Sequence, residues 1–357
     1  MGRTRVSPLL VLAGVVCNLL IVVPAAVRAG FGGGDYLSFY AGGKLALSES
    51  LYEPEAVAAV QRELGWESAS LPFTRLPVVA LAHRALTAVP YEAAHVVWQC
   101  LNAAALGVYL MLLPGGSRTA GAVVLAWLLP AYVALQQGQD TPLLLLCVAG
   151  ALATLERREF WAGVLLGVCA IKAHLFLGAV VFVVRRGSKG MWAGGAAAGA
   201  VLALSSTALQ GWDWPQRMLQ AAAQPDTNKM ELMPALVPML QGAGVGWVVA
   251  AVAAIGTLCW VAAGHGDRRA ALAAAIAPGL LAAPHIYLQD WTLLAPALLL
   301  GLTKGGMWTR WTAMAVLAPP VTLLALLGWR AVPVAALAVF AAVLACDRLE
   351  ARSESNG

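Results

Sequence analysis

Apolar stretches of roughly 15 to 24 residues follow one another along almost the whole chain, and the charged residues gather in short clusters between them. A helix satisfies its own backbone hydrogen bonds, so stretches of this length and spacing restrict the fold to a bundle of membrane helices. Composition points the same way: of 357 residues, 60% are hydrophobic and only 11% charged, with a mean hydropathy of +0.75. No segment is long and polar enough for a separate soluble domain. The expectation is one all-α polytopic integral-membrane domain over residues 1–357. Residues 1–27 form its first helix, 28–91 a long first extracytoplasmic loop, 92–346 the remaining membrane helices and 347–357 a cytoplasmic tail, of which Glu350 to Gly357 is polar and expected to fray.

The charge clusters orient this bundle. Arg3 and Arg5 precede the apolar run Pro8 to Val27, which has no small-residue cleavage site before Arg28, so it reads as a retained helix with a cytoplasmic amino terminus. Further spans are expected at 92–113, 120–136, 141–155, 191–209, 240–263, 270–283, 291–303, 311–328 and 331–346. Glu156-Arg157-Arg158-Glu159, His265-Gly266-Asp267-Arg268-Arg269, Lys304 with Arg310, and Asp347-Arg348 then fall inside. The Gln136–Asp140 loop, the Gly211–Pro234 loop, the Pro284–Asp290 turn and Arg330 fall outside. A single span over 161–184 would put Arg185, Arg186 and Lys189 on the wrong side. Two half-length helices, 160–171 and 173–185, avoid this by forming a re-entrant hairpin with Lys172 and His174 at its tip. Each would rise roughly 18 Å against a hydrocarbon core of about 30 Å. About twelve helical membrane segments result, with both termini cytoplasmic. In the first loop, Val57, Val60 and Leu64 recur at helical spacing and predict a helix lying flat on the membrane surface, while Trp212, Trp214 and Trp291 are expected as interface anchors.

Asp35 follows Gly32-Gly33-Gly34 directly behind the first span, where a carboxylate on flexible backbone is a candidate general base, or simply part of a solvated turn. The topology gathers Asp35, Lys172, His174, His285 and Asp290 on one face, with Arg75 and Gln139 as neighbours. Ionisable groups at a membrane interface are costly and therefore candidates for function. Ordinary roles compete: Lys172 can snorkel, His174 and His285 can be satisfied loop histidines, and Asp290 and Arg75 can be ion-pair partners. The net charge of +5 is taken up by the orienting clusters, so no nucleic-acid partner is expected. Six cysteines lie in apolar stretches and never as Cys-x-x-Cys, no His-x-x-x-His spacing marks a metal, and no Gly-x-Gly-x-x-Gly segment marks a nucleotide. Neither metal nor cofactor is expected.

Six local motifs, in order and on one side, resemble the membrane-embedded glycosyltransferases of the GT-C type, specifically glycosyltransferase family 87. Gly34-Asp35-Tyr36-Leu37-Ser38-Phe39-Tyr40-Ala41-Gly42-Gly43-Lys44, followed by Leu51-Tyr52, is similar to the family's first-loop Asp motif. Pro72-Phe73-Thr74-Arg75-Leu76-Pro77 is similar to its Phe-x-Tyr-Pro-Pro segment, with Arg75 and Leu76 in place of Tyr and the first Pro. Gly138-Gln139-Asp140-Thr141 resembles Gly-Gln-Asn, and Ala170-Ile171-Lys172-Ala173 resembles Ile-Lys-Pro with the Pro lost. Met233-Pro234-Ala235-Leu236 resembles a Met-Pro-x-Leu loop, and Ala283-Pro284-His285 through Asp290 resembles Ser-Pro-His with a following Tyr-Asp.

The resemblance implies transfer of a hexose, mannose in the family, from a polyprenyl-phosphate donor to a glycolipid or polysaccharide acceptor at the extracytoplasmic face of the plasma membrane. It implies an inverting single displacement with Asp35 as general base. Lys172, Arg75 and His285 would bind the donor phosphate, and His174, Gln139, Asp140, Tyr40 and Asp290 would bind or orient substrate. The residues also allow a transporter or flippase of a lipid-linked glycan, or a noncatalytic membrane scaffold.

Overall fold

The computed structural model describes residues 7–29, 34–67, 71–224, 230–240, 243–264 and 267–356. Arg3, Arg5, Gly32, Gly33 and His265-Gly266, on which parts of the sequence reading rest, lie outside the described residues, as do 225–229 of the expected outer loop. The described residues are helical with no strand. Five helices are long and apolar enough to cross a membrane: Pro8–Val27, Tyr91–Leu112, Lys189–Gln210, Val245–Gly264 and Ala331–Glu350. Two bent pairs raise the number to seven if each is one span, Gly115–Trp127 with Leu129–Gln137 at 63° and Met307–Leu317 with Pro319–Leu326 at 46°. Proline causes both bends: Pro130 and Pro319 sit in the first turn after each break, where a missing N–H and a ring clash end the preceding helix. The remaining apolar stretches are shorter helices, including Thr141–Thr154, Arg268–Leu281 and Ala295–Lys304. The carboxyl-terminal helix runs from Ala331 to Asn356, so the tail expected to fray continues it.

Between Glu159 and Arg186 the chain forms a helix over Glu159–Val168, a 3-10 turn over Cys169–Leu175 and a second helix over Leu177–Arg186. Lys172 leaves the helical region with φ −131° and ψ 52°. The Arg268 guanidinium bonds both the Glu159 carboxylate and, at 3.2 Å, the Arg186 carbonyl. Both ends of the segment therefore stand at one level and the chain turns back between them. The first arm packs on Lys189–Gln210 through glycines: a Cβ on Gly163 would lie 2.0 Å from the Met191 carbonyl oxygen, and one on Gly194 1.9 Å from that of Phe160.

The first loop carries its own core. Tyr36–Lys44, Pro54–Glu63 and Pro77–Arg84 close around Tyr36, Phe39, Tyr52, Phe73, Tyr91 and Trp98. Val57 is only 1% exposed there, with Val60 and Leu64 packed beside it. The apolar stripe expected to lie on the membrane thus faces protein, because the loop's aromatics supply a nearer apolar partner. Trp291, expected at the interface, is likewise fully buried, since the 3-10 turn Leu288–Leu294 packs into the bundle against Leu129–Gln137. Trp212 is 85% exposed, and Trp214 donates to Thr207 Oγ1 at 3.3 Å.

Candidate active site

Two glycines bring two loops into contact. Gly138 closes the Leu129–Gln137 helix at φ 68°, a left-handed conformation that favours glycine. A Cβ on it would lie 2.5 Å from that of Tyr36, and a Cβ on Gly34 would lie 2.6 Å from the Gln137 carbonyl oxygen. Trp98 fixes the approach by donating its indole N–H to the Gly138 carbonyl at 2.7 Å. Asp35 is thereby set beside Gln139.

Asp35 occupies the N-cap of Tyr36–Lys44, yet its side chain makes no cap bond. Its Oδ2 instead accepts from Gln139 Nε2 and, at 3.3 Å, from Gln289 Nε2. This separates it from an ordinary turn aspartate, whose carboxylate bonds its own helix or water. Burial raises its pKa from the ordinary 3.8, outweighing the Gln139 hydrogen bond and the attraction of Lys172 and Arg75.

Behind Gln139 stands a cationic pair. Lys172 Nζ donates to Gln139 Oε1 at 2.7 Å and to Thr141 Oγ1 at 3.3 Å, and forms ion pairs of 2.9 Å with both Asp140 and Asp290. Lys172 is 2% exposed, so it does not snorkel. Arg75 is looser, 3.4 Å from Asp140 Oδ2 and 3.5 Å from Gln139 Oε1, with its guanidinium 5.5 Å from the centre of the Phe39 ring. Asp290 also accepts from Thr141 at 3.1 Å and from the Tyr287 N–H at 3.1 Å. Burial alone would raise the pKa of Asp140, but Lys172 and Arg75 prevail and hold it down at about 2.

The structure therefore joins Asp35, Arg75, Gln139, Asp140, Lys172 and Asp290, drawn from five separate parts of the sequence, into one network. His174 and His285 stack edge to face at 5.9 Å beside it, with Tyr287 at 5.2 Å from His285. Tyr40 stays apart: its hydroxyl donates to the Val89 carbonyl at 2.9 Å and its ring packs on Tyr91. Gln289 and Thr141 join the network without having stood among the candidates, since neither residue type by itself points to a site. Their only signal in the sequence is adjacency to Asp290 and Asp140.

The family model of glycosyltransferase family 87 matches residues 73–288, more than half of the chain. The chain belongs to glycosyltransferase family 87. It is accordingly a membrane glycosyltransferase, working on a sugar donor and an acceptor. The family 87 match takes in Arg75, Gln139, Asp140, Lys172, His174 and His285, while Asp35 and Asp290 flank it. No curated protein and no solved structure matches the chain.

Proposed function

We propose that this family 87 protein transfers a hexose, mannose by resemblance to its family, from a polyprenyl-phosphate carrier to a glycolipid or polysaccharide hydroxyl at the extracytoplasmic face of the plasma membrane. The observation that carries the reading is the Asp35 carboxylate, which is left uncapped on a helix N-terminus and held by two amide side chains next to two cations. Asp35 takes the acceptor proton as the acceptor oxygen bonds to the sugar's C1. The bond from C1 to the phosphate oxygen breaks with its electron pair going to phosphate, so the products are the glycosylated acceptor and the free polyprenyl phosphate. One displacement inverts the anomeric centre and needs no second carboxylate as nucleophile.

The two cations divide the work. Lys172 already faces two carboxylates and orients Gln139, which in turn orients Asp35. The Arg75 guanidinium has only long contacts and stands over the Phe39 ring of the first loop, so it is assigned to the leaving phosphate, and the His174–His285 pair is assigned to the same group. Purified protein given a radiolabelled polyprenyl-phosphate hexose and a membrane-lipid extract should form a labelled glycoside, and Asp35→Asn should form it roughly 100-fold more slowly or worse. Unchanged turnover in that variant removes Asp35 as base. Movement of the label across a vesicle membrane with no new glycoside would instead identify a flippase.

A further inference from the structure

At the end of the bundle remote from Asp35, a cavity of about 780 Å³ opens between Tyr91–Leu112, Thr141–Thr154, Arg268–Leu281 and Ala295–Lys304. It is remote because Arg268, on its wall, ties the two ends of the hairpin whose tip carries Lys172. Five cations line it, Arg157, Arg186, Arg268, Arg269 and Lys304, against two carboxylates, Glu156 and Asp267. Arg268 is neutralised by Glu159 and Lys304 lies 3.4 Å from Asp267. Arg157 and Arg269 are exposed and have no ion-pair partner among the described residues. Beyond this basic rim the wall turns apolar, with Leu152, Ala273, Leu299 and Leu300. Tyr109 lies on the same wall, fully buried, and its hydroxyl has no hydrogen-bond partner among the described residues.

A soluble anion would use the rim and leave the apolar depth empty. A cationic mouth above an apolar wall, formed by the long apolar helix Tyr91–Leu112 and three shorter helices, is complementary to an amphiphile with a negative head. We propose that this cavity binds one anionic phospholipid, its phosphate held by Arg157 and Arg269 and its acyl chain laid along Leu152, Leu299 and Leu300. The Tyr109 hydroxyl supplies a donor below the phosphate, at the depth of the glycerol esters. This assignment stands whether or not Asp35 is the catalytic base, since no residue is shared between the two sites.

Native mass spectrometry of the detergent-purified full chain, titrated with phosphatidylglycerol and with phosphatidylcholine, tests it. One phosphatidylglycerol should be retained at least 10-fold more tightly than phosphatidylcholine. At about 1 kcal/mol for each basic side chain near a lipid phosphate, Arg157→Gln with Arg269→Gln should weaken it about 30-fold, equivalent to about 2 kcal/mol. Both arginines are exposed, so folding should survive; Tyr109→Phe, which removes one oxygen, gives a second and smaller loss in an intact fold. Equal retention of the two lipids, or unchanged affinity in the double variant, overturns the proposal. Displacement of the lipid by millimolar inorganic phosphate also overturns it, by making the site one for a free anion.

Discussion

A carboxylate that must be ionised to act, but that the fold buries, works against the stability of the protein that carries it. Asp35 is such a group: its folded pKa lies above the unfolded 3.8, so between those two values the folded state holds more protons and stability falls as pH rises. Asp35→Asn keeps an oxygen for Gln139 and Gln289 and removes the charge. It should therefore raise the melting temperature, by more at pH 8 than at pH 5, in a thermal scan of the two proteins side by side. A lower melting temperature for the variant would mean that burial does not dominate at Asp35. The acid limb of the rate profile should likewise lie above the range of an unperturbed aspartate, and disappear with the carboxylate. Lys172 behaves oppositely. Removing it leaves Asp140 and Asp290, 3% and 4% exposed, with little countercharge, so Lys172→Met should lose about 3 to 5 kcal/mol of stability and recover part of it when Asp290→Asn is added. Arg75→Gln, which removes contacts of 3.4 and 3.5 Å and the cation–ring contact with Phe39, should lower turnover with little effect on melting. If Lys172→Met melts like the parent while Arg75→Gln does not, the two roles are exchanged.

At the scale of elements, the hairpin is held where its first arm meets Lys189–Gln210 with backbone almost against backbone. Gly194→Val puts carbon into the Phe160 carbonyl and should separate the two helices, lowering thermal stability by several degrees in detergent. Gly199 lies on the same helix with nothing within 4 Å of its would-be Cβ. Gly199→Ala should therefore leave stability equal or raise it, by up to about 1 kcal/mol of helix propensity. Equal effects of the two substitutions would show that the glycines do not set this packing. These elements also mark what the sequence made legible. Apolar length located the five helices long enough to cross a membrane, whereas the stretches at 141–155, 270–283 and 291–303 fold as shorter elements. The charge imbalance at Arg185 and Arg186 pointed to a turn at Lys172. The bends at Leu128 and Ala318 fall inside the apolar runs 120–136 and 311–328, which hydropathy alone reads as unbroken. Hydropathy also cannot tell lipid from protein as an apolar partner, which is why the Val57 stripe and Trp291 were placed at the membrane. At the site, the ionisable members were legible by type, and the structure brings Asp35, Arg75, Asp140, Lys172 and Asp290 into one network. Gln289 and Thr141 became visible only once folding placed them beside Asp35 and Lys172.

The whole molecule is polarised along the bundle axis. Asp35, Arg75, Gln139, Asp140, Lys172 and Asp290 cluster at one end, whereas Arg157, Arg186, Arg268, Arg269 and Lys304 ring a cavity at the other. Cationic loops favour the cytoplasmic side, so the second end should face the cytoplasm and the network the exterior, where a polyprenyl-linked sugar rather than a nucleotide sugar is the available donor. The hairpin makes this polarity testable over a short piece of chain, because Ala173 is exposed at its tip and Ser188 lies just past its base. In a background without the native cysteines, Ala173→Cys should react with a membrane-impermeant thiol reagent added to intact cells, and Ser188→Cys should react only after the membrane is opened. Ser188 caps its helix by accepting from the Met191 N–H at 3.2 Å, a role that a thiol fills weakly, so Lys189→Cys serves as a second probe of the same end. Labelling of both ends from outside would mean that residues 159–186 do not turn back within the membrane. Labelling of the base alone would invert the molecule and place Asp35 in the cytoplasm, away from the proposed donor.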